Sequence, residues 1–255
     1  MGFQKKAYVS QAIGKPGQKS RDLPDHHLPK IVEGNGLKEG AFAFAGTSPE
    51  QVKGTALAGT SPIGFAALQR YQANLTGGNT MTINEGEEVA VYSDGYFFAK
   101  TGTASKGDKV LVDPLTGDLG AGANATSATA GTLTFEDVDY TDFTSISAGT
   151  ATFVVDGVEH ALTGLDFHSA ASLSDVASVF DTALTGVADC AASSGDLVFT
   201  SATTGASSKV ALTSTGTVET ALGTGVAVDG KNAFIDSSWV VETASDVNGI
   251  AEIHK

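Results

Sequence analysis

The sequence predicts a mainly β protein: a small antiparallel β-barrel or sandwich with an extended N-terminal arm and an inserted α+β module of β-β-α-β-β-β order. Three observations carry this. Val, Ile, Leu and Phe recur in strand-length blocks divided by Gly-, Asp- and Ser-rich turns, in a chain where small residues are plentiful and aromatics few. Only one segment, 172–186, sustains a helical period. The first thirty residues set Lys5, Lys6, Lys15, Lys19, Arg21 and Lys30 against only Asp22 and Asp25, and they interleave glycines and prolines with no apolar period. Such a stretch builds no core of its own, which predicts an extended basic arm over 1–30.

After the arm, Ala41-Phe42-Ala43-Phe44 reads as a short strand. Ala45-Gly46-Thr47-Ser48-Pro49 recurs as Ala58-Gly59-Thr60-Ser61-Pro62, a single echo that predicts paired turns rather than a solenoid. Glu88–Tyr92 and Tyr96–Lys100 flank Ser93-Asp94-Gly95, which predicts a hairpin because Asp-Gly accepts the positive φ of its tight turn. Lys109–Val112 leads through Asp113 into the turn Pro114-Leu115-Thr116-Gly117-Asp118. The run GAGANATSATAG over 120–131 has nothing to bury and reads as a linker.

Beyond it the character changes. Thr150–Val155 and Val158–Leu162 flank Asp156-Gly157, a second hairpin signal. Ser172 is suited to cap a helix whose stripe is Leu173, Val176, Phe180 and Leu184, with Asp175 at its third position and Gly186 after its end. Val187–Ala192, Leu197–Ser201 and Lys209–Thr213 read as strands. Val226-Ala227-Val228, Trp239–Thr243 and Gly249–Ile253 lack a helix between them and are expected to complete the first domain. The predicted organisation is an arm (1–30), a discontinuous β-domain (31–119 and 226–255), a linker (120–131) and an inserted module (132–225). Insertion at a surface turn is favourable when the two ends lie close together.

Outside the arm the chain holds nine bases and 27 acids, and the whole carries a net charge of −14. That balance argues against nucleic acid as the main ligand. No apolar run approaches the ~18 residues that span a bilayer, and no signal-peptide pattern follows Lys5 and Lys6, so a soluble protein made in a cytoplasm is expected. Cys190, alone among small apolar residues, reads as a buried thiol.

Residue patterns for catalysis, metal or cofactor fail one by one. Asp25-His26-His27 places adjacent histidines on opposite sides of an extended chain, and His160, His168 and His254 stand singly. Glu136, Asp137, Asp139 and Asp142 concentrate charge, but an EF-hand begun at Asp137 puts Asp142 where glycine is needed and Ala148 where the bidentate Glu belongs, which leaves a solvated acidic strand as the reading and a looser calcium site as its alternative. The stretch from Gly225 to Gly230-Lys231 has phosphate-loop spacing, yet Asn232 replaces the metal-holding hydroxyl and no helix is predicted behind it. Gly120-Ala121-Gly122 sits in the linker. No enzyme, cofactor or metal is expected.

The leader MGFQKKAYVSQAIGKPGQKSR, the block VLVDPLTGDLG and the ending SSWVVETASDVNGIAEIHK resemble tailed-bacteriophage capsid decoration, or head cement, proteins. Separately, FVVDGVEHALTGLDFHSAASLSDVASVFDTALTG and LVFTSATTGASSKVALT resemble a module found in phage tail sheath and other virion proteins. These resemblances imply a structural protein on the capsid exterior, oligomeric and often trimeric, made in the host bacterial cytoplasm. They imply the major capsid protein and neighbouring decoration subunits as partners, no catalysis, and a capsid-binding arm carrying Lys5, Lys6, Lys15, Lys19, Arg21 and Lys30. The alternative is a head fibre or adhesin that binds a host surface or carbohydrate through 132–225, with Phe135, Tyr140, Phe143, Phe153, Phe167, Phe180 and Phe199 as candidate stacking residues.

Overall fold

The computed structural model describes residues 13–68, 82–213 and 217–255. In chain order the strands are β1 (His27–Val32), β2 (Leu37–Lys38), β3 (Phe42–Ala45), β4 (Gln51–Lys53), β5 (Gly64–Ala66), β6 (Thr82–Ile83), β7 (Glu88–Tyr92), β8 (Tyr96–Lys100), β9 (Lys109–Val112), β10 (Leu119–Gly122) and β11 (Thr132–Phe135). There follow β12 (Gly149–Val155), β13 (Val158–Leu165), helix α1 (Leu173–Ala183), β14 (Ala188–Ser193), β15 (Asp196–Ser201), β16 (Val210–Leu212), the single-turn helix α2 (Glu219–Leu222), β17 (Gly225–Val228), β18 (Ile235–Thr243) and β19 (Ile250–His254). The fold is mainly β. Two compact units divide it: Ser127–Asn232 form one, and the residues before them together with Ala233–Lys255 form the other.

The first unit combines a closed five-stranded barrel, ordered β1-β4-β3-β5-β7, with a five-stranded sheet ordered β10-β9-β18-β19-β8. Strand periodicity explains how one short segment serves two cores. In β3, Ala43 points into the barrel with Val32, Val52, Ala66, Val89 and Val91. Its neighbours Phe42 and Phe44 point the other way, into a cluster with Phe65, Phe97, Trp239 and Ile253. Small residues suit the narrow barrel interior, and aromatics fill the wider space between barrel and sheet. Trp239 is the centre of that second core, with ring centroids 5.8 Å from Phe42, 5.7 Å from Phe65 and 6.0 Å from Phe97. A bulge in β18 aims it there: pairing with β9 shifts between Asp236 and Trp239, Ser238 takes a φ of 67°, and Ser237 Oγ donates to the Val110 carbonyl at 2.6 Å.

The inserted unit contains a four-stranded sheet ordered β14-β15-β11-β17 and a three-stranded sheet ordered β13-β12-β16. Their inner residues and α1 share one phenylalanine-rich core, in which Phe180 lies within 6.3 Å of Phe143, Phe153, Phe167 and Phe199 by ring centroid. The predicted run of two strands, helix and three strands is present, flanked by β11 and β17 and with α2 added. The helix occupies Leu173–Ala183, with Ser172 accepting the Asp175 amide and the Asp175 carboxylate accepting the Ala171 amide in return.

Four expectations are corrected. First, Glu88–Tyr92 and Tyr96–Lys100 are strands, but not a hairpin: β7 pairs with β1 and β5 in the barrel, and β8 pairs with β19 in the sheet. Only Gly95 of the Asp-Gly pair takes positive φ, while the Asp94 carboxylate accepts the His26 amide, so the turn is a corner between sheets. At Asp156-Gly157, by contrast, both residues have positive φ, 54° and 82°, and β12 and β13 pair directly across them. Second, residues 119–122 overlap the expected linker yet pair with β9, because their small side chains leave room for Phe234, whose ring lies 3.3 Å from where a Cβ on Gly120 would sit. Third, Val226–Val228 belong to the insert's sheet, against β11, and not to the discontinuous domain; Ala227 pairs with Leu133 and Gly225 with Phe135, and a Cβ on Gly225 would meet the Leu133 and Phe135 side chains. Fourth, residues 27–30 are barrel strand rather than arm.

Charge divides unevenly. The inserted unit holds thirteen acids against Lys209 and Lys231 as its only bases. The other unit is close to balanced, with sixteen acids and thirteen bases. The acidic character of the chain is therefore a property of the insert.

Candidate functional site

The most distinctive polar arrangement of the first unit lies where residues 13–21 run along the free edge of β8. Gly17 N donates to Phe98 O at 2.8 Å, Phe98 N to Gln18 O at 2.9 Å and Ser20 N to Tyr96 O at 2.9 Å. This segment thus acts as a sixth strand along an edge that the other described strands leave unpaired. On its other side Leu68 N donates to Gly17 O at 2.8 Å. Glycine is required here: Gly17 has a φ of 82°, and a Cβ would stand 2.8 Å from Leu68 N and 2.9 Å from Gly40 N. Gly14 lies flat against the Phe98 ring, which leaves no space for a side chain.

The strap ends in a latch. Arg21 grips the buried Glu252 of β19 with two parallel bonds, Nε to Oε1 at 2.8 Å and Nη2 to Oε2 at 3.0 Å. Ser20 Oγ donates to the same carboxylate at 2.7 Å, and Thr243 Oγ1 at 2.9 Å. The guanidinium carbon sits 4.4 Å from the centre of the Tyr96 ring, which in turn stacks on His254 at 5.1 Å. Glu242 completes the cluster, 3.4 Å from Arg21 and 3.5 Å from both Lys106 and His254. The Arg21 guanidinium, with Ser20 and Thr243, holds the Glu252 carboxyl below the usual carboxylate range against the opposing effect of burial.

The candidate arm residues meet different fates. Lys5 and Lys6 lie outside the described residues. Lys15 is exposed, its backbone amide bonded to Gln18. Lys19 is paired with Asp25 at 2.6 Å, and each holds the other in its charged form. Arg21 forms the latch. Lys30 lies on β1, where its ammonium donates to the Pro49 carbonyl. Sequence reasoning thus located the basic segment and missed its acidic acceptors, Asp25, Glu242 and Glu252. β19 offered a faint signal, since Glu252 interrupts the apolar residues Ile250, Ala251 and Ile253.

Other candidates are accounted for structurally. His26 contacts Ser93, and His27 faces Asp25 and the Tyr92 ring. Asp139 caps a 3-10 turn by accepting the Thr141 amide at 2.9 Å, which holds its carboxyl below the usual carboxylate range. Among the described residues no group of three or more His, Cys, Asp or Glu side chains is placed to hold a metal, and no helix is long and apolar enough to cross a membrane. Phe135, Phe143, Phe153, Phe167, Phe180 and Phe199 are buried and Tyr140 packs against the same core, so these rings fill the insert rather than offer faces to a sugar. Cys190 is buried, and burial pushes its thiol up to about 12.

Comparison with known proteins adds the family. The family described as "Structural cement protein (E217 gp24/Pam3 gp6)" matches residues 3–180. A second, "E217 tail sheath protein gp31, insert domain", matches residues 124–238, so the inserted unit is similar to a domain of a tail sheath protein. Among solved structures, one titled "The capsid of Myoviridae Phage XM1" aligns at 18% identity and a TM-score of 0.34, over 47% of this chain and 79% of that one, a likeness too distant to carry an argument about this fold. No curated protein matches. The first match spans well over half of the sequence, and the chain belongs to the phage structural cement protein family.

Proposed function

We propose that this protein binds the exterior of a phage capsid and stabilises the lattice of the major capsid protein, as a decoration protein of the virion. Membership of the cement family is the observation that carries this reading. Attachment is assigned to the nearly charge-balanced unit, through residues 1–12 and the neighbouring exposed Lys15. The insert, with its strong negative charge, projects outward. The working assembly is a homo-trimer whose copies contact one another and the capsid, in keeping with the closed symmetry most oligomers adopt. The role is structural, without catalysis, nucleic acid or membrane.

The test is co-sedimentation of purified protein with capsids that lack it, compared with a variant lacking residues 1–12. The full chain is expected to bind, with affinity falling as salt rises, and the truncated chain to bind at least roughly tenfold more weakly, as loss of several charge pairs predicts. Equal binding by both would remove the arm from the proposal. Absence of binding by the full chain would overturn the function itself.

A further inference from the structure

The strap differs from the rest of its unit in what holds it. Among residues 13–26 only Gly17 is fully buried, and Ile13, Leu23 and Pro24 are exposed. Residues 13–21 are retained by main-chain bonds to β8 and Leu68, by the Ile13 amide donating to the Asp246 carboxylate and by the Arg21 latch. An element of this kind opens locally at a free energy below that of global unfolding.

The surface beneath the strap has stricter demands. Glu252 is buried, and of the four hydrogen bonds it accepts from side chains, those from Ser20 and from both Arg21 nitrogens come from the strap. When the strap leaves, Thr243 alone of these donors remains and the carboxylate loses the Arg21 cation. The edge of β8 also loses its pairing. A foreign strand restores the main-chain bonds but leaves Glu252 without its cation unless it carries arginine at the matching place. Strand edge and carboxylate together are matched by the strap's Ser20-Arg21, which every copy of this chain carries.

We infer that the edge of β8 with Glu252 is a docking site for the strap of a second copy, so that neighbouring molecules exchange straps. The connector has the form exchange needs: Asp22, Leu23 and Pro24 are exposed, and a proline favours an extended link. The inference deepens the reading of the chain as a capsid-bound oligomer by naming the segment that joins copies. Its test needs no capsid, so its failure would leave capsid binding standing.

The experiment uses two full-length variants, R21E and E252R. Each places like charges at its own latch, and each is complementary to the other in both directions. Separately, each is expected to be monomeric, with proteolysis and amide exchange of the strap faster by roughly tenfold or more, as loss of charge-assisted bonds predicts. Co-refolded in equal amounts, they are expected to form oligomers that contain both chains by native mass spectrometry, with strap protection restored. The double variant R21E/E252R shows whether the reversed pair is tolerated within one chain. A mixture that stays monomeric and unprotected while the double variant is protected would overturn the inference. Deleting Leu23 and Pro24 supplies a test that leaves the sheet untouched. The shortened connector is expected to hold the protein in strap-exchanged oligomers, and a monomer, whether its strap is docked or free, would equally overturn the inference.

Discussion

At the scale of the residue, Glu252 concentrates the chemistry of the strap. Its acidity is increased chiefly by Arg21, and the same direction holds for Asp25 beside Lys19, Asp236 beside Lys109 and Asp156 in its ring of hydroxyl and amide donors. Each of these carboxyls binds a proton more readily unfolded than folded. Their contribution to stability is therefore complete above the ordinary carboxylate range, about pH 4, and is lost as pH falls through the lower folded values. Denaturant melts between pH 7 and pH 3 are expected to show a steep acid-side loss. Glu252→Gln is expected to reduce that slope and to cost about 1–3 kcal/mol at pH 7, the range for a buried hydrogen-bonded charge left imperfectly matched. Cys190 has the opposite sign. Burial, with Asp181 nearby, pushes its thiol up to about 12, so folded protein is expected to resist thiol reagents at pH 8 and to react on unfolding. The raised value also means that its share of stability is present below the ordinary thiol range and lost as pH rises from there toward the folded value.

At the scale of the element, the two Asp-Gly turns show how far local chemistry reaches. Both are bounded by strands at the positions that residue type predicts, Glu88–Tyr92 and Tyr96–Lys100 around one, Gly149–Val155 and Val158–Leu165 around the other. Only the second closes a hairpin. Asp156 is held at positive φ by Ser201, Thr203 and the Lys209 amide, all contributed from later in the chain. Asp94 instead binds His26, from 68 residues earlier, and the chain turns from barrel to sheet. Asp156→Ala is expected to destabilise the inserted unit by about 1–3 kcal/mol by leaving those donors unmatched, read as a fall in its melting temperature. Gly17→Ala acts differently. Positive φ alone costs about 1–2 kcal/mol for an L side chain, and the Cβ would meet backbone at 2.8 Å. The strap is expected to lift while barrel and sheet persist, read as faster exchange of the Phe98 amide with little change in the Trp239 fluorescence.

At the scale of the whole molecule, the insert's entry and exit lie side by side, with Thr129 paired to Lys231, and Thr126 is bridged to Phe234 in the other unit. Replacing Ser127–Asn232 with a short Gly-Ser link is expected to leave a cooperatively melting protein with its Trp239 core intact. It is also expected to elute earlier from an anion exchanger, since most of the net negative charge departs with the insert. Residue pattern by itself determined the strand blocks, the capped helix, the mainly β class and the basic N-terminal segment. Those depend on alternation, capping and turn chemistry, which act across a few neighbours. Tertiary structure decided which strands pair, that Gly120–Gly122 and Val226–Val228 belong to sheets, and that Arg21 binds a carboxylate of its own chain. Arg21 and Glu252 are separated by 231 residues, and a basic residue looks the same in sequence whether its acid lies on another protein or on the last strand of its own. Only the closure of the sheet, which carries Glu252 beside the edge where the strap lies, distinguishes the two.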